Sequence, residues 1–188
     1  MTALPPALDL IGTAVFALTG ALLASLAVVA VIVLITVRPD VTKENRIDWS
    51  AIHDSSPNAV MLADPTFTDG DGDWWANRVE YTEGNYPEWY IGFVSPTEGF
   101  VAIEQYLNEL PPEILTDMDS VPLSTRIVDG VDWDVYERSG LDDPGNRVTI
   151  YVRKLTSGST LVVSGTAAVA EIELVASRAF TSLEGGTN

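Results

Sequence analysis

Residues 88–106, EWYIGFVSPTEGFVAIEQY, hold two runs of β-branched and aromatic residues separated by the turn segment Ser95-Pro96-Thr97-Glu98. This pattern predicts a β-hairpin with strands at 88–95 and 99–106. Side chains along a strand alternate between the two faces of a sheet. In the second strand, Phe100, Ala102 and Glu104 are therefore expected on one face, and Val101, Ile103 and Gln105 on the other.

More strands are predicted on both sides of this hairpin, at 75–81, 125–129, 131–137, 147–154 and 160–165. The dipeptide Asp129-Gly130 favours a tight turn between two of them. A short helix is predicted after Pro111-Pro112, since proline is tolerated in a first helical turn.

A C-terminal helix is predicted after Thr166, which is a suitable N-cap residue. Its apolar residues recur at helical spacing and form one stripe: Val169, Ile172, Ala176, Ala179, Phe180 and Leu183. Antiparallel strands followed by an amphipathic helix predict an α+β domain whose C-terminal helix packs on the sheet.

Residues 10–37 carry no charge, and this run is longer than the roughly 20 apolar residues that cross a bilayer as a helix. A cleaved signal peptide is disfavoured, because no Lys or Arg precedes the run. The expected fold class is therefore an α+β protein with one N-terminal transmembrane helix before the sheet domain. The expected segments are a tail at 1–9, the transmembrane helix at 10–37, a connector at 38–64, the acidic α+β domain at 65–184 and a tail at 185–188.

Small residues recur every four positions in the uncharged run, at Ala17, Ala21 and Ser25 and at Gly20 and Ala24. Such spacing lets two membrane helices approach closely, although alanine is also common in helices that pack against nothing specific.

The basic residues after the run, Arg38, Lys43 and Arg46, favour a cytoplasmic C-terminal flank, but a long domain can be exported despite such charges.

The chain of 188 residues has 27 acidic and 10 basic side chains and a net charge of −17. This charge argues against nucleic acid as a partner, since phosphate binding needs clustered Lys and Arg. Cysteine is absent, which excludes disulfides, thiolate nucleophiles and zinc–thiolate sites.

The segment Asp69-Gly70-Asp71-Gly72-Asp73 gives the sharpest local pattern. Asp69, Asp71, Asp73 and Glu80 match oxygen-ligand positions of an EF-hand calcium loop. Trp74 occupies the position where that loop needs glycine, so an acidic turn before a strand is the favoured interpretation. Calcium is thus the one cofactor that the sequence suggests.

No catalytic residue is predicted. His53 is the single histidine and lies in the connector, where an exposed linker position is expected. Carboxylate pairs such as Glu104 with Glu137, or Asp132 with Asp134, arise by chance in so acidic a chain. Standard phosphate-binding and nucleophile-elbow motifs are missing.

The aromatic residues at 74–93 are expected to lie mostly in the core.

Four motifs follow one another in a recognisable order: Trp74-Trp75, WYIGFVSPTEGFVAIEQ at 89–105, VDGVDWDVYE at 128–137 and LVVSGTAAVAEIELVASRAF at 161–180. Over 47–183 the chain resembles an actinobacterial, membrane-anchored family of unknown function (DUF 4245-like). The resemblance implies a domain outside the cytoplasmic membrane and supplies no catalytic residues. The order of elements is also similar to that of Mog1- and PsbP-like domains.

The sequence thus predicts a non-enzymatic, single-pass protein of the actinobacterial cell envelope. Its acidic domain is expected to lie outside the cytoplasm and to contact another membrane protein or an envelope component, with the lipid bilayer around its anchor. Two alternatives stay open. One is an accessory subunit of a larger membrane complex, such as a respiratory supercomplex, docked through its transmembrane helix. The other is a calcium- or ligand-binding envelope domain.

Overall fold

A computed structural model describes residues 45–185, except 120 and 122, together with residues 20, 22, 25 and 26. Residues 44–188 form one compact unit. It contains seven strands: β1 (Trp75–Thr82), β2 (Glu88–Val94), β3 (Phe100–Tyr106), β4 (Leu123–Val128), β5 (Val131–Glu137), β6 (Thr149–Lys154) and β7 (Thr160–Gly165). Within the described residues from 45 to 185, three α-helices accompany them: α1 (Trp49–Ser55), α2 (Pro112–Asp119) and α3 (Val169–Glu184). Short 3-10 helices cover Ala59–Met61 and Asp69–Asp71.

The strands form one antiparallel sheet in the order β1-β2-β3-β7-β6-β5-β4. The hairpin predicted at 88–106 is confirmed as the β2–β3 pair. Between β4 and β5, Asp129 and Gly130 have φ angles of 48° and 81°. Two successive positive φ angles are typical of the turn that joins strands with the natural twist of a sheet. The sequence signal of this turn is therefore confirmed.

One face of the sheet carries the main hydrophobic core under α3. The helix buries four residues there, Ile172, Val175, Ala176 and Ala179. Opposite them lie large buried side chains from five strands: Trp89, Ile91, Phe93, Ile103, Trp133, Tyr151, Leu161 and Val163. As predicted, Val101 and Ile103 face this core, whereas Phe100, Ala102 and Glu104 face the other side of the sheet.

The segment 47–64 belongs to the folded unit, although its sequence favours a mostly irregular connector. Ile47 pairs with Ala76 of β1, and α1 follows directly. Ala63 is completely buried; its carbonyl accepts a hydrogen bond from Trp89 Nε1 at 2.8 Å, and its amide donates to Gln105 Oε1 at 2.8 Å. These bonds fix the segment to β2 and β3, through partners 26 and 42 residues away along the chain.

The predicted fold class is wrong in its membrane component. A bilayer-spanning helix needs roughly 20 apolar residues. No helix in the described part of the chain is both long and apolar enough to cross a bilayer. The structure is instead a seven-stranded antiparallel sheet with helices. Of the transmembrane helix predicted at 10–37, only residues 20, 22, 25 and 26 are described, and the rest lies outside the described residues.

The start of α3 also differs from the prediction. Ala168, not Thr166, is the N-cap residue, and Glu171 accepts a hydrogen bond from its backbone N–H at 3.2 Å. Thr166 instead extends the β3–β7 junction, where its N–H donates to the carbonyl of Phe100 at 2.9 Å. Strand pairing thus takes precedence over helix capping at this threonine.

Candidate functional site

The sheet face opposite α3 contains a polar pocket of about 440 Å³. Strands β1, β2, β3 and β7 form its base, and helix α2 together with the loop between β5 and β6 forms its walls. Six charged residues line it: Arg78, Glu104, Asp117, Arg138, Asp143 and Arg147. Tyr90, Phe100, Ala102 and Ser164 also line the pocket.

Small side chains on neighbouring strands explain why this face has a depression. Strand pairing places Gly92 beside Ala102, and Ala102 beside Ser164. A Cβ atom on Gly92 would lie 3.2 Å from Tyr90 Oη and 3.3 Å from Phe100 Cε2, so both aromatic side chains lean over the glycine. The pocket therefore has a floor of small residues and an aromatic border.

A buried ion pair forms one wall of the pocket. Glu104 is only 2% exposed and accepts two hydrogen bonds from Arg147, from Nε at 3.1 Å and from Nη2 at 2.9 Å. The hydroxyl of Tyr106 donates to Glu104 at 2.8 Å, and that of Ser164 at 3.4 Å. Bidentate pairing of this kind fixes the plane of a guanidinium as well as its charge.

The ion pair continues into a chain of alternating charges. Arg147 Nη1 lies 3.3 Å from a carboxylate oxygen of Asp117 on α2, and Arg138 Nη2 lies 2.8 Å from the other. Arg138 Nη1 also donates to the carbonyls of Pro144 and Arg147. Its Nε is buried and has no hydrogen-bond partner among the described residues.

Arg78 forms the outer rim of the pocket. Its guanidinium carbon lies 4.8 Å from the centre of the Tyr90 ring, and its Nη2 donates to Glu80 at 2.6 Å. The side chain of Arg78 is 63% exposed and that of Glu80 is 49% exposed. An exposed pair of this kind is held weakly, so the guanidinium remains accessible to a ligand.

Ionisation in the pocket follows from burial and from these partners. Burial acts to lower the pKa of Arg147, but hydrogen bonds to Glu104 and its negative charge outweigh burial and raise it. Burial, followed by the charges of Glu104 and Glu88, raises the pKa of Tyr106. Burial raises the pKa of Tyr90 and of Glu88 as well. Arg147 is therefore charged at neutral pH, and Tyr106 is a hydroxyl donor.

The predicted calcium ligands take part in separate interactions. Asp71 accepts hydrogen bonds from Thr68 and from Arg178 of α3, and the backbone N–H of Thr68 is the main cause that lowers the pKa of Asp71. Asp73 pairs with Arg46 at 2.7 Å, and Glu80 pairs with Arg78. Asp69 is exposed. Among the described residues, no group of three or more His, Cys, Asp or Glu side chains is arranged to hold a metal ion.

Most of the residues predicted to pack membrane helices lie outside the part of the chain that the structure describes. Ala17, Ala21 and Ala24 are outside the described residues, whereas Gly20 and Ser25 are helical and exposed. Their role in packing stays a prediction.

His53 is not an exposed linker residue as expected. Its side chain is 12% exposed, its Nε2 lies 3.2 Å from the carbonyl of Leu62, and its ring contacts Trp89 edge-to-face. It lies near Ala63, at the core side of the sheet, because the segment 47–64 folds onto β2. Of the two carboxylate pairs named from the sequence, Glu104 and Glu137 are separated, since Glu104 is in the pocket while Glu137 accepts from Thr149. Asp132 and Asp134 are both exposed on one face of β5, outside the pocket.

Three of the seven aromatic residues at 74–93 lie in the core, fewer than expected, whereas Trp75, Tyr81 and Tyr90 are partly exposed and Tyr86 is 39% exposed. Trp74, Trp89 and Phe93 are buried, and Phe67 stacks on Trp74 with ring centres 5.0 Å apart. Tyr90 is the exception that matters for the site, since it points away from the core and borders the pocket.

Sequence reasoning missed the pocket because its members are far apart in the chain. Arg147 lies 43 residues from Glu104 and 30 residues from Asp117. Two local signals were present. Glu104 interrupts an apolar strand, and Gly92, Ala102 and Ser164 are small residues within strands that are otherwise bulky. Neither signal indicates which strands become neighbours.

The model of one protein family, described as "Protein of unknown function (DUF4245)", matches residues 14–179, which is well over half of the chain. No curated protein matches the chain. No solved structure matches it either.

Proposed function

The chain belongs to the DUF4245 family of proteins of unknown function, and we propose that it is a non-enzymatic binding domain whose pocket receives an anionic group of its ligand. One observation carries the proposal. From residue 47 onward the chain has 24 acidic but only seven basic residues, and three of the seven, Arg78, Arg138 and Arg147, line this one pocket.

The charge distribution supports an anionic ligand group. Three arginines and three carboxylates line the pocket, so the charges there balance. Elsewhere on the domain an anion meets a surface on which acids far outnumber bases, and it is repelled. Arg78, stacked on Tyr90 at the rim, offers the most exposed guanidinium for a carboxylate or a phosphate.

The pairing within the pocket supports binding rather than catalysis. Both oxygens of Glu104 accept hydrogen bonds from Arg147, and the two oxygens of Asp117 contact Arg138 and Arg147. A general acid or base needs a carboxyl group that can exchange its proton with a substrate. Carboxylates held in this way fix the shape of the pocket instead.

Arg78→Gln is expected to weaken the binding of small anions about tenfold, since a hydrogen bond to a charged group contributes roughly 1.5–3 kcal/mol. Isothermal titration of the full chain with inorganic phosphate and with citrate measures this change. Arg126→Gln is the matched control, because Arg126 is a half-exposed arginine on the opposite face, paired with Glu173. Equal losses in both variants, or no saturable binding by the unmodified chain, would contradict the proposal.

Placement in the cell envelope of an actinobacterium is part of the same proposal. It is supported by the resemblance of residues 47–183 to an envelope family. We expect protease added to intact spheroplasts to cleave the domain, with a cytoplasmic protein as an uncut control. Complete protection of the domain until the cells are lysed would refute an extracytoplasmic position.

A further inference from the structure

The two edges of the sheet differ in how they are protected. At β1, Ile47 donates a backbone hydrogen bond to the carbonyl of Ala76 at 2.9 Å, and the strand register shifts between Ala76 and Arg78. A short covering segment and a bulge are two devices by which proteins prevent further strand addition. The β1 edge is therefore poorly suited to pair with another chain.

The β4 edge has neither device. In the described part of the chain, β4 has a neighbouring strand only at β5. Five of its six residues are exposed, it contains no proline, and Arg126 is its single charge. Leu123 is 55% exposed and Ile127 is 72% exposed. An edge of this composition is a template for strand pairing.

The turn between β4 and β5 fixes which backbone groups face outward. A two-residue turn at Asp129 and Gly130 makes Val128 and Val131 a hydrogen-bonded pair. Antiparallel pairs alternate between hydrogen-bonded and non-bonded positions. The N–H and C=O groups of Ile127, Thr125 and Leu123 therefore point to the open edge. The side chains of these three residues share the face opposite α3.

We propose that β4 is a docking edge, at which an extended segment of a partner protein adds to the sheet as an eighth strand. The partner segment alternates aliphatic and basic residues. Its aliphatic side chains pack beside Leu123 and Ile127, and its backbone bonds to Thr125 and Ile127. Strand addition of this kind takes its affinity from the backbone and its specificity from alternate side chains.

The negative charge around the β4 edge favours a basic partner over a second copy of this chain. The basic side chains of the partner lie on the face of Arg126, where Glu173 and Glu137 lie within 3.3 Å and 4.0 Å of that arginine, so two acids accompany one base. On the other face, exposed Asp132 and Asp134 pair with Ile127 and Thr125 and add negative charge to the edge. A second copy brings another net charge of −17 to this edge, whereas lysines or arginines meet complementary charge.

The test uses the full chain labelled with ¹⁵N and a synthetic hexapeptide of alternating lysine and valine. We expect saturable binding that slows hydrogen exchange about tenfold or more at the amides of Thr125 and Ile127. A glutamate–valine hexapeptide is expected not to bind. The proposal fails if the two amides exchange at unchanged rates, or if they are protected without peptide at rising protein concentration, which would identify a second copy as the occupant.

Ile127→Lys supplies the matched variant. It removes an apolar contact and places a like charge beside the peptide, so Kd should rise about tenfold or more. Val60→Lys makes a similar change at a residue that is 99% exposed and outside β4, and it should leave Kd unchanged. Equal effects of the two variants would show that overall charge, not the β4 edge, controls binding. The β4 edge is three strands away from the strands of the pocket, so failure here leaves the pocket proposal intact.

Discussion

Gly165→Ala is expected to lower the free energy of unfolding by about 3 kcal/mol or more. A Cβ atom at this position would lie 2.1 Å from the carbonyl oxygen of Phe100 and 3.0 Å from the Cα of Val101. Both are backbone atoms of the paired strand β3, so no side-chain rotation relieves the clash. Separating the strands would also break the bonds from Thr166 and Ala167 to the same carbonyl.

Urea denaturation followed by tryptophan fluorescence measures this loss. Small domains are stable by roughly 5–15 kcal/mol, so a change of this size shifts the midpoint clearly. Gly140→Ala is the control, because a Cβ there meets no atom within 4 Å and its φ is not positive. A midpoint for Gly165→Ala equal to that of the control would mean that β3 and β7 approach less closely than the structure shows.

Local patterns in the sequence predict much of the sheet. The Asp129-Gly130 turn and the alternation along 99–106 each depend on neighbouring residues only, and the structure confirms both. The helical stripe is placed correctly at Ile172, Ala176 and Ala179, whereas Val169 is 37% exposed at the first turn of α3. Local periodicity therefore identifies the element better than it identifies its end.

Long-range packing accounts for the errors. Nothing within 47–64 indicates that Ala63 exchanges hydrogen bonds with Trp89 and Gln105. The charges and the Asp54-Ser55-Ser56-Pro57-Asn58 turn cluster of that segment favour a linker, yet two buried side chains on β2 and β3 need its backbone groups as partners. Satisfying buried polar atoms in this way is a property of the assembled fold, because an unpaired buried donor costs free energy.

The candidate site could be predicted only in part for the same reason. The sequence shows that Glu104 sits in an apolar strand, which indicates a buried carboxylate that needs a partner. It does not reveal that Arg147, two residues before the start of β6, is that partner. The pairing depends on β7 lying between β3 and β6, an order that no local motif encodes.

Glu104→Ala is expected to destabilise the domain by about 3 kcal/mol. Removing one member of a buried ion pair typically costs roughly 3–5 kcal/mol, because the other charge is left without compensation. The lower end applies here, since the side chain of Arg147 is 31% exposed and water can partly replace the lost carboxylate. Tyr106 loses its acceptor at 2.8 Å as well. The control Glu80→Ala, which breaks an exposed pair on the same sheet face, should cost less than about 1 kcal/mol.

A double-mutant cycle separates the pair from the loss of packing. Arg147→Met alone leaves Glu104 buried with only hydroxyl partners, so it too should be strongly destabilising. In Glu104→Ala with Arg147→Met no buried charge is left unpaired, and the double variant should be more stable than the sum of the single losses predicts, by about 1–3 kcal/mol. Additive losses would show that Arg147 does not depend on Glu104 for its charge compensation. In that case Asp117, 3.3 Å away, would be the partner that holds Arg147 in the pocket.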